Sequence, residues 1–156
     1  MSRVRAATLD DIRMLMAIEE DSPTAAHWQE GQYRAALEPG ATPERVSLVV
    51  EEETVLGFIV ARVLGDEWEI ENLAVAGPAQ RRGLGSQLVG GLLDMAKMRS
   101  ARSVFLEVRE SNRVARRLYE KWGFVAAGRR KSYYADPPED GLLFRHKFST
   151  TTLKRG

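Results

Sequence analysis

Residues 67–108 constrain the fold more than any other stretch, because they read as strand, helix and strand in direct succession. "EWEIENLAVA" (67–76) is a strand. Leu84, Leu88, Val89, Leu92, Leu93 and Ala96 then recur at helical spacing, and "RSVFLEV" (102–108) sets Val104, Leu106 and Val108 against Ser103, Phe105 and Glu107. A strand–helix–strand unit puts its two strands side by side and parallel, through a right-handed crossover. The glycine-rich turn that opens the helix then sits at the carboxyl end of the parallel pair, where α/β sheets bind ligands.

Within the first of these strands the apolar residues change phase. Trp68 and Ile70 alternate in one parity, Leu73 and Val75 in the other. Side chains alternate with a period of two, so the apolar set changes parity only if a residue is inserted. A β-bulge near Glu71-Asn72 satisfies this, and so does a strand buried on both faces. A bulge would also bend the strand and free backbone groups for a ligand.

The flanking segments read more simply. "RVRAA" (3–7) is a short strand, and Thr8 with Asp11 forms a capping-box pattern ahead of a helix to about Glu20. "HWQEGQYRAALEPG" reads as a second short helix ending at Pro39-Gly40, and "RVSLVVEEE" and "VLGFIVARVL" as a hairpin turning at Glu53-Thr54. "SNRVARRLYEKWGF" is an amphipathic helix with Val114, Ala115, Leu118, Tyr119 and Trp122 on one side and Gly123 as its stop. "VAAGRRKSYY" and "GLLFRHKF" are two closing strands joined by "ADPPEDG". The order is β-α-α-β-β-β-α-β-α-β-β: a single-domain, mixed α/β sheet, mostly antiparallel, with one central parallel strand pair flanked by helices. The domain is expected over residues 1–148, with 149–156 a frayed polar tail.

Composition removes several classes of function. The 156 residues carry 23 Lys plus Arg against 22 Asp plus Glu, a net charge of +1, without the basic excess that general nucleic-acid binding needs. Any positive site must therefore be local. The absence of cysteine excludes disulfides, thiolate catalysis and Cys-ligated zinc. His27 and His146, the two imidazoles, each read as a surface or packing residue, so no metal is expected. "MSRVRAATLDD" has no signal-like apolar core and no run is long enough to span a membrane, which points to a cytoplasmic protein without a membrane partner.

The turn "QRRGLGSQL" (80–88) puts two arginines and two glycines at a helix mouth, which suits an anion, although a tight turn with solvated arginines fits the same residues. It is not a P-loop, because Leu84 follows Gly83. Nor is it a dinucleotide fingerprint, because the position three beyond Gly85 is Leu88. What remains is Gln80-x-x-Gly83-x-Gly85 between a strand and a helix.

That pattern resembles the acetyl-CoA-binding loop of the GNAT superfamily of N-acetyltransferases. "ENLAVAGPAQRRGLGSQLVGGLLDMA", "ARSVFLEVRESNRVARRLYEKWGFVAAGRRKSYY", "EDGLLF" and "HWQEGQYRAAL" are similar to its ribosomal-protein alanine N-acetyltransferase (RimI-type) branch, over most of residues 3–148. The sequence departs from that branch at Pro78, one place late, at Gln29, where Ser or Thr is common, and in "EDGLLF" itself. The resemblance implies a GNAT-like fold and acetyl-CoA as co-substrate. Backbone N–H groups of Arg81, Arg82, Gly83, Leu84, Gly85 and Ser86 would cradle the CoA pyrophosphate, with charge from Arg81 and Arg82. The backbone of Leu73, Ala74 and Val75 would hold the pantetheine and polarise the acetyl carbonyl, and Asn112 would bond the pantetheine arm.

Acetyl transfer to an amine needs a neutral nucleophile, a polarised thioester and a proton for the leaving thiolate. Glu107 falls on the branch's base position; on its residues alone it is either at a site or in an ion pair. Tyr119 is the candidate acid and, by its helical face, equally a core aromatic. Trp28 with His27, and Tyr133 with Tyr134, are candidates for the acceptor side, though paired strand tyrosines also serve as plain β-formers. The basic run "GRRK" reads as a solvated edge. An α-amine titrates near 8 and a lysine near 10.4, a gap of roughly 3 kcal/mol in deprotonation that favours an N-terminus as acceptor. Three readings follow: an enzyme acetylating the N-terminal amine of a protein, such as a ribosomal protein; an enzyme for a small amine or a lysine; and a non-catalytic acetyl-CoA-binding module.

Overall fold

The computed structural model describes residues 1–22, 25–135 and 137–149. The β-branched runs form β1 (Arg3–Ala6), β2 (Arg45–Glu51), β3 (Val55–Leu64), β4 (Glu67–Val75), β5 (Ser103–Arg109), β6 (Val125–Ala135) and β7 (Pro138–Lys147). The helices are α1 (Ile12–Glu20), α2 (Glu30–Leu37), α3 (Leu84–Met98) and α4 (Arg113–Lys121). All seven strands make one sheet in the order β1-β2-β3-β4-β5-β7-β6. The pair β4–β5 is parallel and every other pair is antiparallel, as the crossover requires.

The strand alternation divides the core between the two faces. Leu48, Val50, Ile59 and Ala61 pack with the α3 stripe, Leu84, Leu88, Val89, Leu92, Leu93 and Ala96. Val49, Phe58 and Val60 face α1 and α2, against Leu15, Ile18 and Tyr33. Each large apolar side chain so buried contributes about 1.5–3 kcal/mol.

Several expected boundaries move. Leu9–Asp11 form a 3-10 turn ahead of α1, with the Thr8 N–H donating to the Asp11 carboxylate at 2.8 Å. Arg5 grips that carboxylate with two bonds of 3.0 Å, which holds Asp11 below the ordinary carboxylate range. Helix α2 begins at Glu30 rather than at His27, because His27 takes φ +58° and Gln29 serves as N-cap. Val114 is 83% exposed, so the buried side of α4 is Ala115, Leu118, Tyr119 and Trp122 without it. The closing strands run longer than expected, with Ala135 already paired to Pro138. Pro138 opens β7, a position where no N–H is needed, and low strand propensity hid "PEDG" as strand. Asp136 and the tail from residue 150 lie outside the described residues. Among the described residues, no helix is long and apolar enough to cross a membrane.

Helices α3 and α4 meet at a glycine. The Trp122 ring lies so close to Gly90 that an added Cβ would sit 2.7 Å from it, and the Trp122 indole N–H donates to Ser86 Oγ at 3.0 Å. At Gly91, an added Cβ would meet Val4 and Leu48 at 3.4 and 3.5 Å, ordinary contact. Gly90→Ala is therefore expected to destabilise by about 1–3 kcal/mol through overpacking. Gly91→Ala is expected to stabilise by about 0.5–1 kcal/mol through the entropy glycine gives up in a helix. Thermal melts of the two variants check this: the Tm values should move in opposite directions.

Candidate active site

The site begins with an insertion. Val60 pairs with Asn72 and Ala61 with Ile70, so Glu71 is the extra residue of a β-bulge. The phase change in the sequence follows: Trp68 and Ile70 lie in the α3-side core before the bulge, and Leu73 and Val75 pack against the same core after it. The second reading also holds in part, since Ala74 is buried on the opposite face, with α1 and α2.

The β4–β5 pairing runs from Glu67–Ser103 to Glu69–Phe105 and ends there, just before the bulge. Beyond it a cavity of about 730 Å³ lies between the two strands. Leu73 of β4, Glu107 of β5, Asn112 and Tyr119 at α4, Trp28 of the α1–α2 loop, and Tyr133 and Tyr134 of β6 all line it. Residues assigned from distant parts of the chain to base, acid and acceptor roles thus share one wall.

Glu107 projects from β5 opposite Leu143 of β7, with its side chain 13% exposed. Its Oε2 is buried and accepts no hydrogen bond, although Arg130 Nε approaches to 3.3 Å. Burial pushes its carboxyl above the ordinary value, the Arg130 charge opposes that shift, and Glu69 adds to it. Ion pair and cavity carboxylate, the two alternatives for this residue, are both present.

Tyr119 is also both of its alternatives. It is 5% exposed with its ring edge-on to Phe124 at 5.3 Å, yet it borders the cavity. Burial raises its phenol well above 10, so it holds its proton throughout the physiological range. Asn112 caps α4, its side-chain oxygen accepting from the Ala115 N–H at 3.1 Å. A pantetheine contact from this residue is left to the amide NH₂.

The glycine turn leaves the start of α3 without a side-chain cap. Gly83 takes φ +78° as N-cap of α3, and no side chain caps the helix, so the first-turn N–H groups of Leu84, Gly85 and Ser86 have no side-chain acceptor. Arg81 is itself left-handed at φ +67°, a conformation that costs a non-glycine residue roughly 1–2 kcal/mol. The Gln80 amide donates to the Val75 carbonyl at 3.0 Å and ties the turn to the end of β4. Arg82 is paired with Glu52 of the β2–β3 turn, while Arg81 makes no ion pair among the described residues. The Ser86 hydroxyl accepts from Trp122 and leaves only its N–H for the turn.

Acceptor-side residues depend on a network that the sequence reading missed. Asn72, 4% exposed, donates to Glu19 Oε2 at 3.1 Å and to the Tyr33 hydroxyl at 3.3 Å, and accepts from the Ala26 N–H at 3.2 Å. Glu19, 3% exposed, also accepts from the Trp28 N–H at 2.9 Å, and the Trp28 ring meets Tyr33 edge-on at 5.3 Å. Asn72, next to the bulge residue, thus pins the loop that carries His27 and Trp28. The available signal was a glutamate on the apolar face of α1. On β6, a wide bulge lets the neighbours Tyr133 and Tyr134 line the same cavity, with ring centroids 5.0 Å apart. Arg109 lies over the Tyr134 ring at 4.3 Å. The "GRRK" run lies exposed on the edge strand, where Arg129 also pairs with Glu110 and Asp140.

Residues 12–124 match the Acetyltransferase (GNAT) family. The chain belongs to the GNAT acetyltransferase family. A Bacillus subtilis (strain 168) protein, named provisionally as a [ribosomal protein bS18]-alanine N-acetyltransferase, is 34% identical over 141 residues, 90% of this chain and 91% of that one. The Escherichia coli (strain K12) protein named [ribosomal protein bS18]-alanine N-acetyltransferase is 42% identical over 88 residues, 55% of this chain and 60% of its own length. A crystal structure of the Escherichia coli ribosomal-protein-S18-alanine N-acetyltransferase superposes with TM-score 0.84 at 28% identity, over 96% of each chain.

In this GNAT domain a second cavity, of about 530 Å³, lies between β1–β2 and the end of α2. None of the assigned site residues line it, and its Glu44 and Arg99 are already paired at 2.8 Å. Among the described residues no cluster of three or more His, Asp or Glu is placed to hold a metal.

Glu107 gives this site a pH signature in stability. Its folded value lies above its unfolded value, so its favourable contribution is complete at low pH and is lost as pH rises through the folded value. In its ionised form this half-buried carboxylate destabilises the fold. Glu107→Gln is expected to melt at or above the wild type at pH 7, with the gap closing as pH falls below about 4.5. Melting curves across that range check it.

Proposed function

We propose that the protein is an acetyl-CoA-dependent N-acetyltransferase acting on the N-terminal α-amine of a protein, of the ribosomal-protein alanine type. The observation that carries this reading is the buried Glu107 oxygen without a hydrogen bond, at the same cavity wall as Tyr119. The names of its relatives point to the same acceptor. A ribosomal-protein acceptor would place the reaction in the cytoplasm.

The residues present fit acetyl-CoA. The α3 N-terminus has no side-chain cap, Arg81 makes no ion pair among the described residues, and the cavity bordered by Leu73 lies along the diverging end of β4. Acetyl-CoA, when bound, supplies an activated acetyl thioester. Glu107 removes a proton from the acceptor ammonium, and its elevated value brings it closer to the α-amine it must deprotonate. Glu107 passes that first proton to solvent. The freed amine nitrogen then forms a bond to the acetyl carbon, the C–S bond breaks, and the nitrogen's second proton passes to the again-ionised Glu107, which also releases it to solvent. Tyr119 donates to the departing sulfur. A thiol's ordinary value near 8.5 lies below that of a phenol, so Tyr119 stabilises the sulfur mainly by hydrogen bonding, and solvent restores any proton it gives up. The products are an amide, a free thiol and one released proton.

Acetyl-CoA should raise Tm by mass action, by about 2.7 kcal/mol of stability at a hundredfold excess over its Kd. Replacing both Gly83 and Gly85 with bulky residues should remove that shift while leaving the chain folded. An unchanged melt with saturating acetyl-CoA would overturn the reading.

Turnover separates the roles further. Glu107→Gln should lose most activity at low pH, where the amine is charged, and much less well above the amine's own value; an equal loss at every pH would make Glu107 structural. Tyr119→Phe should lower kcat with little change in Tm. A peptide with a free N-terminal alanine or serine should outperform both a blocked peptide with an internal lysine and spermidine, because following residues add binding surface. Equal rates on spermidine and the free-ended peptide would indicate a small-amine enzyme instead.

A further inference from the structure

Strand β6 brings a cation to Glu107 by an irregular route. Arg130 pairs with Gly141 and Tyr134 with Glu139, so β6 has two more residues than β7 between these pairs. Ser132, at φ +52°, donates its N–H to Asp140 Oδ1 at 2.8 Å and holds this wide bulge in place. In a regular strand Arg130 and Tyr133 would face opposite sides. Here the Arg130 guanidinium lies over the Tyr133 ring, 5.3 Å from its centroid, and Nε stands 3.3 Å from Glu107 Oε2. Gly141 makes room for that ring, since a Cβ there would sit 3.1 Å from Tyr133 Cδ2.

The two partners are unequally placed. The Arg130 side chain is 62% exposed and that of Glu107 13%. The contact also lacks hydrogen-bond geometry, since Glu107 Oε2 accepts nothing. Such a cation leaves for water at small cost, exposed pairs being worth about 0.2–1 kcal/mol.

Other charged or titratable groups at this end of the cavity do not compete for the place. Glu69 of β4 is taken by Arg62 at 2.5 Å. Arg109, also on β5, bonds Glu139 at 3.3 Å and the Pro137 carbonyl at 2.9 Å. Glu71 of β4 is held by Arg45 at 2.9 Å. Tyr119 of α4, Tyr133 and Tyr134 of β6 and His27 of the α1–α2 loop also line the cavity, and from β7 the residue facing Glu107 is the apolar Leu143. An acceptor ammonium that reaches Glu107 brings the same charge to the same oxygen as Arg130.

We propose that Arg130 is a displaceable counter-ion: in the free protein it neutralises Glu107, and it yields that place to the acceptor's ammonium group while staying at the cavity rim beside Tyr133. This rests on the reading of Glu107 as the base that receives the acceptor amine. Arg130 is thus a positioning residue, which tunes the base and competes with the acceptor.

The test uses Arg130→Met, which keeps an unbranched apolar stem over Tyr133, and Arg130→Lys, which keeps the charge. The probe is a six-residue peptide with a free N-terminal alanine, measured without acetyl-CoA by calorimetry. Arg130→Met is expected to bind it about 1.4- to 5-fold more tightly than wild type, the fold-change equivalent of an exposed pair. The same peptide with an acetylated N-terminus should show no difference, and Arg130→Lys should behave like wild type. In the free protein, Arg130→Met should move the Glu107 carboxyl midpoint, followed by carbon NMR, to higher pH; with saturating free-ended peptide the wild-type and variant midpoints should coincide. Unchanged or weaker binding by Arg130→Met, or a free-protein midpoint that does not move, overturns the proposal. The underlying reading fails separately, if Glu107→Gln retains full turnover at low pH.

Discussion

A strand whose side chains alternate cannot accept one extra residue without exchanging its faces, and Glu71 imposes that exchange in the middle of the sheet. Trp68 and Ile70 are committed to the α3-side core before it, and Leu73 and Val75 return to that core after it. Asn72 is turned the other way, into the space beneath α1 and α2. The β4–β5 ladder stops just short of the same point, which gives the cavity its place. A single inserted residue therefore opens the active site between the strands and anchors the loop on its far side.

Two kinds of polar group surround that opening. Asn72, Glu19 and Tyr33 satisfy one another and the backbone of residues 26 and 28, as a buried network must if it is not to cost stability. Glu107 does the opposite: its Oε2 is buried without a hydrogen bond and faces a guanidinium that reaches in from solvent. The first arrangement holds geometry. The second keeps a carboxylate available for a proton.

The bulge, the crossover and the helical stop at Gly123 were legible in the sequence because each follows from local spacing: a change of apolar parity, a strand–helix–strand run, and a glycine that takes φ +88°. The sharing of one cavity by Glu107, Tyr119 and Tyr134 was legible through family resemblance rather than through spacing. What stayed hidden depends on long-range register. The pairing of Arg82 with Glu52 joins the glycine turn to a hairpin thirty residues away, and nothing near either residue signals it. The contact of Arg130 with Glu107 needs a two-residue excess in β6 that "GRRKSYY" does not announce. Val114 fell into the wrong face because one helical turn admits both residues 114 and 115 beside 118, and packing chose Ala115.

Strand β6 closes one side of the sheet and, apart from the half-buried Tyr134, all of its residues are exposed. A long strand with one free hydrogen-bonding edge is a template for a second copy of itself, and Val125, 65% exposed, would favour such a contact. Arg129, Arg130 and Lys131 oppose it by like-charge repulsion between edges, and the wide bulge beside them spoils the register that a docking strand would need. The irregularity of this hairpin, which brings Arg130 to Glu107, thereby doubles as a guard against aggregation, so changes that straighten or neutralise it put the chain's monodispersity at risk.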